Sequence, residues 1–335
     1  MIKDFIVINS IVNRSLNQPP SRYPHFIFDW RSCNPKLSSV FSYAYPHRVT
    51  NQEQLYHGEI FGKLNGWNTR LQYVRGLIGF WSLDYVAFTI YNPTTKQSIS
   101  LPIHTHLPRS RYLFGYDPLK NQYKVLCLTT KIYHPERLLC CKVFTLGDPK
   151  NEWTNIECGI GLHYPYGNAV CINGKIYYKA RTVNRSYVLV CFDVWSQKFN
   201  HVQSPPDKLV RIKSEDSTLL NYQGKLACIC GNNNDVDLWV MENTEKQEWF
   251  KITFFGLLQG LTRWIRFADV TNPGGEIVII NERNLESNIV YYYDPKRNIR
   301  RRFDMETTTS SERIRHSDHV AIWAVTDHVE NIMCF

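Results

Sequence analysis

The sequence predicts an all-β protein that repeats a unit of about 50 residues. Two observations point to strands. Aromatic residues make up 14% of the 335 residues, with 9 Trp, 20 Tyr and 17 Phe, and such residues suit pleated, half-buried surfaces. The apolar segments run for only about 4 to 8 residues before Gly, Pro or Asn interrupts them, which is short for helices. The third observation is the repeat itself.

The repeat is clearest between two stretches that lie 50 residues apart. Asn173-Gly-Lys-Ile-Tyr-Tyr178 has its counterpart in Gln223-Gly-Lys-Leu-Ala-Cys228. After each, the chain reads as a strand, a tight turn and a further strand. Each unit is therefore a small antiparallel sheet.

A short polar residue marks the tight turn of each unit, because its side chain can hydrogen-bond the backbone of the turn. The intervals between these markers run from 45 to 56 residues. The markers are Asn92, Asp148, Asp193, Asn243 and Asp294. A large apolar residue restarts a strand soon afterwards in four units, at Trp153, Phe199, Trp249 and Phe303.

This period is typical of a kelch-like β-propeller, with about six blades of three or four strands. A hairpin over residues 26–30 and 40–45 could pair with the strand at 320–325 and close the ring. A β-sandwich or two smaller β-domains would also fit short strands of this kind.

Charge is spread along the chain, although 39 basic and 30 acidic side chains give a net charge of +9. The dense basic group comprises Lys296, Arg297, Arg300, Arg301 and Arg302. It reads as a turn followed by a strand with a basic polar face. Nucleic acid is therefore not an expected partner.

Ten cysteines are too few for a disulfide scaffold, and they lie in apolar runs typical of buried thiols. The spacing of Cys228 and Cys230 places both on one face of a strand. His104 and His106 lack a third ligand in a metal-binding motif, so no metal is expected. Because no apolar run reaches the ~18 residues of a membrane span, we expect no membrane partner and a cytoplasmic or nuclear location.

No catalytic or phosphate-binding motif is recognisable in the sequence, so we expect neither an enzyme nor a cofactor. Most acidic residues of interest are assigned to turns, as at Asp148, Asp193, Glu242 and Asp294. A propeller glycoside-processing enzyme or a carbohydrate-binding protein stays open as the alternative, since catalytic carboxylates need no local motif.

The segment over residues 255–266 joins the fourth and fifth units and combines aromatic with basic residues. Tryptophan and arginine dominate binding hot spots. The candidate partner-binding residues are therefore Arg263, Trp264 and Arg266. The alternative is that Leu257, Leu261 and Trp264 pack the connection between blades.

Several stretches together resemble the F-box-associated domain of plant F-box proteins. In the first part of the chain these are Gly76-Leu-Ile-Gly-Phe80, Phe88-Thr-Ile-Tyr-Asn-Pro-Thr-Thr-Lys-Gln-Ser-Ile-Ser-Leu-Pro102 and Tyr112-Leu-Phe-Gly-Tyr-Asp-Pro-Leu-Lys-Asn-Gln-Tyr-Lys-Val-Leu126. Residues 170–178, 190–194 and 238–242 resemble later parts of that domain. The resemblance spans roughly residues 22 to 305.

The resemblance implies a non-enzymatic interaction module that presents a protein target to an SCF (Skp, cullin, F-box) ubiquitin ligase. Skp adaptor and cullin are the partners it implies, and the target is not identified. Residues 5–16 resemble the short stretch that follows an F-box, and the roughly 20 residues before the match are too few to hold the helical F-box itself. We therefore expect a remnant segment over 1–21 and a propeller-like domain over 22–335, and binding of the adaptor stays open.

Overall fold

The computed structural model describes residues 25–31, 38–50, 53–65, 69–82, 87–103, 110–133, 136–206, 217–261, 265–271, 275–281, 288–305, 319–325, 331 and 333–335. These residues form strands and turns, and none of them belongs to a helix that could span a membrane. The strands, in chain order, are β1 (His25–Arg31), β2 (Ser38–Thr50), β3 (Glu53–Asn65), β4 (Thr69–Val74), β5 (Leu77–Ser82), β6 (Phe88–Asn92), β7 (Gln97–Ser100), β8 (Arg111–Asp117), β9 (Gln122–Tyr133), β10 (Glu136–Thr145), β11 (Trp153–Ile156), β12 (His163–Ile172), β13 (Lys175–Thr182), β14 (Tyr187–Asp193), β15 (Lys198–Val202), β16 (Ser217–Tyr222), β17 (Lys225–Asn232), β18 (Asp235–Asn243), β19 (Glu248–Phe254), β20 (Ile265–Val270), β21 (Ile277–Asn281), β22 (Asn288–Asp294), β23 (Ile299–Met305) and β24 (His319–Val325).

Within the described ranges these strands form six four-stranded sheets, which we call A to F. Sheet A has the order β24-β1-β2-β3, and the others are antiparallel meanders of consecutive strands: B (β4–β7), C (β8–β11), D (β12–β15), E (β16–β19) and F (β20–β23). The all-β, propeller-type repeat predicted from the sequence is confirmed. The predicted pairing of the C-terminal strand with the N-terminal hairpin is also confirmed, since Phe28 of β1 lies opposite Ile322 of β24 on one side and Ser42 of β2 on the other.

The chain divides into two compact units. One comprises residues 1–85, 89–100 and 260–335, and contains sheets A, B and F apart from Phe88. The other comprises residues 86–88 and 101–259, and contains sheets C, D and E. The predicted boundary at residues 21 and 22 lies outside the described residues and stays a prediction.

Sheet D is buried on both faces, which explains why its strands read as continuous apolar runs. Alternate residues of β13 pack in opposite directions. Ile176 and Tyr178 belong to an apolar cluster with sheet C, whereas Tyr177 belongs to a second cluster with sheet E. Cys228 and Cys230 both lie in that second cluster, so the prediction that they share one face is confirmed. All cysteines in the described residues are free thiols.

The predicted polar turns are hydrogen-bonded as expected. In each of the five, the side-chain Oδ1 of the marker accepts a backbone N–H two or three residues later. For Asn243 the donors are Glu245 N–H and Lys246 N–H, each at 2.9 Å. The sequence prediction missed a sixth turn of this kind, at Asp117, because it joins the first and second strands of a sheet and falls outside the 50-residue register.

The marker of sheet B, Asn92, also binds the C-terminal residues. Its Nδ2 donates to the carbonyl oxygens of Asn331 and Met333, both at 2.8 Å. Asn331 N–H donates in turn to Thr94 Oγ1 at 3.0 Å. These contacts explain why this buried turn has an amide, since an aspartate at position 92 could accept from the turn but could not donate to the two carbonyls.

A close approach between two turns explains the glycine at position 174, one of the two glycines that recur in the repeat pattern. Gly174 has a φ of 78°, and a Cβ at this position would lie 2.9 Å from Pro118 Cδ. Its counterpart Gly224 has a φ of 81°, but a Cβ there would meet nothing within 4 Å. Both positions favour glycine because φ is positive, and only at Gly174 does a neighbouring residue also leave no room for a Cβ.

The basic group near residue 300 lies on a turn and a strand, as predicted. Asp294 Oδ1 accepts from Lys296 N–H at 2.9 Å and so forms the turn. In β23, Arg300, Arg301 and Arg302 are exposed. Arg301 pairs with Glu276. The structure therefore accounts for this group as the solvated face of an edge strand.

Candidate interaction surface

Two of the three predicted partner-binding residues, Arg263 and Trp264, lie outside the described residues. The third, Arg266, is half-buried in β20, where it lies opposite Ile280 of β21. The structure therefore does not test these three residues as a binding site, and their role stays a prediction. It does describe the first part of the segment that contains them.

The residues that follow β19 fold back on the β17–β18 turn. Gly256 N–H donates to Asp235 Oδ1 at 2.7 Å, and Leu258 N–H donates to the carbonyl oxygen of Asn234 at 2.9 Å. Gly256 has a φ of 67°, which favours glycine at this bend. The bend fixes the direction of the side chains on both sides of it.

As a result, Phe255 is 78% exposed, whereas Leu257 is buried at 4% exposure. Leu257 is buried, and the alternative that Leu257, Leu261 and Trp264 pack the connection between blades stays a prediction. Leu261 is half-buried, and Trp264 lies outside the described part of the chain. The exposed aromatic residue of this segment is Phe255, which the sequence prediction did not single out.

Sheets D and E present their turns at the same two ends. Asn173 Nδ2 donates to the carbonyl oxygen of Gly224 at 3.3 Å, which joins the β12–β13 turn to the β16–β17 turn. Because antiparallel strands reverse at each turn, the β13–β14 and β17–β18 turns lie at the opposite end. Phe255 and the exposed Val183 belong to that opposite end.

Comparison of the six polar turns, each within its own sheet, reveals two that differ. In five of the six turns the residue two positions after the marker donates its backbone N–H to the marker's side chain, and in the Asp193 turn Ser196 N–H does so. In four turns the residue two positions after the marker is polar: Thr94, Lys150, Glu245 and Lys296. In the turn headed by Asp117 the residue at this position is Leu119, and in the turn headed by Asp193 it is Trp195. Leu119 is 78% exposed and Trp195 is 54% exposed.

These two apolar residues stand on firmly bonded turns. Leu119 N–H donates to Asp117 Oδ1 at 2.9 Å. Next to Trp195, Val194 is fully buried, and its N–H donates to the carbonyl oxygen of Gly174 at 2.9 Å. Gly174 also approaches the β8–β9 turn, since a Cβ at this position would lie 2.9 Å from Pro118 Cδ. The two turns therefore lie at the same end of sheets C and D, and we call residues 117–121 and 193–197 the Asx-turn surface.

A buried lysine strengthens the connection between the two turns. Lys124 of β9 donates from Nζ to the carbonyl oxygen of Val194 at 2.8 Å. Burial lowers the pKa of Lys124, and the nearby carboxylates of Asp117 and Asp193 oppose that shift. The Lys124 ammonium group thus joins β9 to the turn that carries Trp195, and it lies near the carboxylates that head both turns.

The acidic residues considered as possible catalytic groups have structural partners. Asp148, Asp193 and Asp294 accept backbone hydrogen bonds in their own turns. Glu242 lies in β18 and not in a turn, which corrects the sequence prediction, and it pairs with Lys225 at 2.7 Å. Within the described ranges no group of three or more His, Cys, Asp or Glu side chains could hold a metal ion. His104 and His106 lie outside those ranges.

Comparison with known proteins gives matches over most of the chain. The family model of the F-box associated beta propeller domain matches residues 25–329. A putative F-box protein of Arabidopsis thaliana, At5g50220, is 46% identical over 257 residues, which are 75% of this chain and 67% of that protein. The Arabidopsis F-box protein At1g52495 is 36% identical and matches 99% of this chain and 78% of its own length. Among solved structures, TolB from Acinetobacter baumannii has a similar fold, with a TM-score of 0.50 at 9% identity over 95% of this chain and 71% of that chain.

Proposed function

Because this chain belongs to the F-box associated β-propeller family, we propose that it is the target-recognition part of a ubiquitin ligase and binds a protein target at the Asx-turn surface. Membership of this family makes it a protein-interaction module. The choice of surface is supported by one observation above the others. Two of the six polar turns carry an exposed large apolar residue where the other four carry a polar one.

Physical reasons favour this surface over the exposed Phe255. Tryptophan is among the residues that contribute most to binding hot spots. Leu119 and Trp195 stand on turns whose backbone groups are hydrogen-bonded to buried residues, so little conformational entropy remains to be lost when a partner binds. The exposed Lys120 and Lys198 lie beside them and provide a polar, positively charged rim.

Affinity purification from plant extract, with quantitative mass spectrometry, tests the proposal. The bait proteins are the unmodified chain, a Leu119→Ser/Trp195→Ser double variant, and Phe255→Ser as the matched control at the opposite end. We expect at least one protein to be enriched by the unmodified chain and by the control, and its apparent affinity for the double variant to fall by about 30-fold or more, as loss of a hot spot of about 2 kcal/mol requires. Equal recovery with all three baits would contradict the choice of surface.

A separate measurement addresses coupling to the ligase. Purified chain is mixed with purified Skp adaptor, and complex formation is measured by size-exclusion chromatography. Direct binding would support ligase membership for this chain by itself. Target binding without adaptor binding would limit the proposal to target recognition.

A further inference from the structure

The turn between the third and fourth strands of sheet B holds a segment of the chain itself. Thr94 Oγ1 accepts from Asn331 N–H at 3.0 Å, and Gln97 Oε1 accepts from Phe335 N–H at 3.0 Å. The marker of this turn, Asn92, donates to two carbonyl oxygens of the same segment. A polar turn of this repeat can therefore bind the backbone of a peptide segment.

One side chain anchors that segment. Asn331 is fully buried, and its Nδ2 donates to the carbonyl oxygen of Arg75, in the β4–β5 turn, at 3.2 Å. Its Oδ1 accepts from Met333 N–H at 2.9 Å. Two turns of sheet B thus hold the segment by one buried side chain and by hydrogen bonds to its backbone.

The same turn positions recur in sheet D with different chemistry. Thr94 lies two residues and Gln97 five residues after the marker of sheet B. The equivalent residues of sheet D are Trp195 and Lys198. Gln97 and Lys198 each begin the fourth strand of their sheet. Sheet D therefore has an exposed indole where sheet B has a hydroxyl acceptor, and an ammonium donor where sheet B has an amide acceptor.

Lysines outnumber acidic residues around these two positions of sheet D. The three stretches that approach each other here contain four lysines and two aspartates: residues 117–124, 173–175 and 193–198. Asp117 is fully buried. Asp193 accepts a hydrogen bond within its own turn and lies opposite Lys175 on one neighbouring strand and Lys198 on the other. The charge presented to a partner at this place is therefore positive.

The equivalent turn of sheet E has the opposite charge. Two and five residues after its marker Asn243 are Glu245 and Glu248, and both are exposed. An acidic segment is repelled by these carboxylates and attracted by the lysines of sheet D. Two turns of the same repeat thus discriminate between partners by charge.

We infer that the sheet D turn binds an extended segment of a partner protein in which a large apolar side chain is flanked by Asp or Glu. The inference rests on the proposed function, because it specifies the partner of the Asx-turn surface. The apolar side chain packs against Leu119 and Trp195, and the flanking carboxylates pair with Lys120 and Lys198 at the rim. The apolar contact contributes most of the affinity, whereas the charges contribute specificity and association rate.

Fluorescence polarisation with three labelled peptide pools tests the inference on the full chain. Every peptide has a central Leu, Phe or Trp with two flanking positions on each side, and the pools differ only at those positions. The flanking residues are Asp and Glu in the acidic pool, Asn and Gln in the neutral pool, and Lys and Arg in the basic pool. At low salt the acidic pool should bind about fivefold or more tightly than the neutral pool, as two exposed ion pairs allow. At 1 M salt this ratio should fall below about twofold.

Matched lysine variants locate the charge dependence. Lys120→Gln/Lys198→Gln removes two exposed lysines at the proposed site. The control, Lys150→Gln/Lys246→Gln, removes two exposed lysines from the polar turns of sheets C and E and changes the net charge by the same amount. The first variant should reduce the preference for the acidic pool to less than about twofold, and the control should keep it.

The outcomes separate this inference from the choice of surface. If the acidic and neutral pools bind equally well and Leu119→Ser/Trp195→Ser weakens both, the surface is supported and the acidic class of partner is wrong. If that variant weakens neither pool, both proposals are overturned. Absence of binding by all pools, or tighter binding of the neutral or basic pool, overturns the inference and leaves affinity purification to decide on the surface. Equally tight binding of single-stranded oligodeoxythymidine, lost in Lys120→Gln/Lys198→Gln, would identify a general polyanion surface and also overturn it.

Discussion

Two lysine–carboxylate pairs in sheet E provide a controlled test of how burial changes the contribution of an ion pair to the free energy of unfolding. Lys251 Nζ lies 3.0 Å from Asp237 Oδ2, and the side chain of Asp237 is only 3% exposed. Lys225 Nζ lies 2.7 Å from Glu242 Oε1, but both side chains are about half exposed. The distances are similar, so the two pairs differ mainly in the environment of the carboxylate. We predict that Lys251→Met destabilises the protein much more than Lys225→Met.

The expected magnitudes follow from the contacts. Removing one partner of a fully buried pair costs about 3 to 5 kcal/mol, because the remaining charge is left uncompensated. At Asp237 the cost is smaller, since Thr253 Oγ1 still donates to Oδ1 at 2.8 Å and the lysine is one-third exposed. Loss of the contact between the Lys251 ammonium and the ring of Trp239 adds about 0.5 kcal/mol. We therefore expect about 2 to 3 kcal/mol for Lys251→Met and less than about 1 kcal/mol for Lys225→Met.

Urea unfolding followed by tryptophan fluorescence measures both variants, and the comparison requires equal m-values. A third variant combines Lys251→Met with Asp237→Leu and so removes the carboxylate that Lys251→Met leaves without its lysine. Its free energy of unfolding should be at least about 1 kcal/mol higher than that of Lys251→Met, because replacing both members of a buried ion pair by apolar residues is often neutral. If the two single variants differ by less than about 0.5 kcal/mol, or if the double variant is less stable than Lys251→Met, the reasoning from burial is refuted.

Three further predictions concern individual residues of the repeat. Asn92→Asp should lower thermal stability by the equivalent of about 2 kcal/mol, because the two hydrogen bonds that Asn92 donates are lost. At Asn243 only the acceptor oxygen is used, so Asn243→Asp should change thermal stability by less than about 0.5 kcal/mol. Equal effects of the two substitutions would contradict the role assigned to the donated hydrogen bonds. Gly224→Ala should cost about 1 kcal/mol in urea unfolding because of its positive φ, and Gly174→Ala should cost at least about 1 kcal/mol more because a proline ring blocks the Cβ. Burial raises the pKa of the Cys228 thiol to about 11 from an ordinary value of 9.0, so the unfolded state loses this proton first. This thiol alone should lower the free energy of unfolding by about 2 kcal/mol between pH 9 and pH 11. Cys228→Ala should therefore show a fall that is shallower by about that amount over the same range, and an unchanged slope would refute the prediction.

The architecture could be predicted from the sequence because its signals are local and repeated. A marker such as Asp193 makes its hydrogen bonds within three residues, so the turn is visible in the sequence and its spacing gives the period. Asp117 makes the same bonds but breaks the spacing, and a search by period overlooks it. The exposure of a side chain, by contrast, depends on the fold around it and cannot be read from the neighbouring residues in the sequence. Leu257 and Phe255 are both apolar and lie two residues apart, and only the bend at Gly256 decides which one is buried.

A repeat of this kind supplies its own internal comparison, which separates structural departures from functional ones. Asn92 departs from the common turn by donating to two carbonyl oxygens, and that contact within the fold explains it. Gly174 shares its backbone conformation with Gly224, and the close approach to Pro118 that only Gly174 makes is also a contact within the fold. Leu119 and Trp195 depart from the polar residues at the same turn position, yet their side chains are largely exposed, so burial in the fold does not account for them. Exposed apolar side chains on rigid turns lose little entropy on binding and gain from leaving water. These two departures, which the fold leaves unexplained, are the reason for proposing the Asx-turn surface as the place where a partner protein binds.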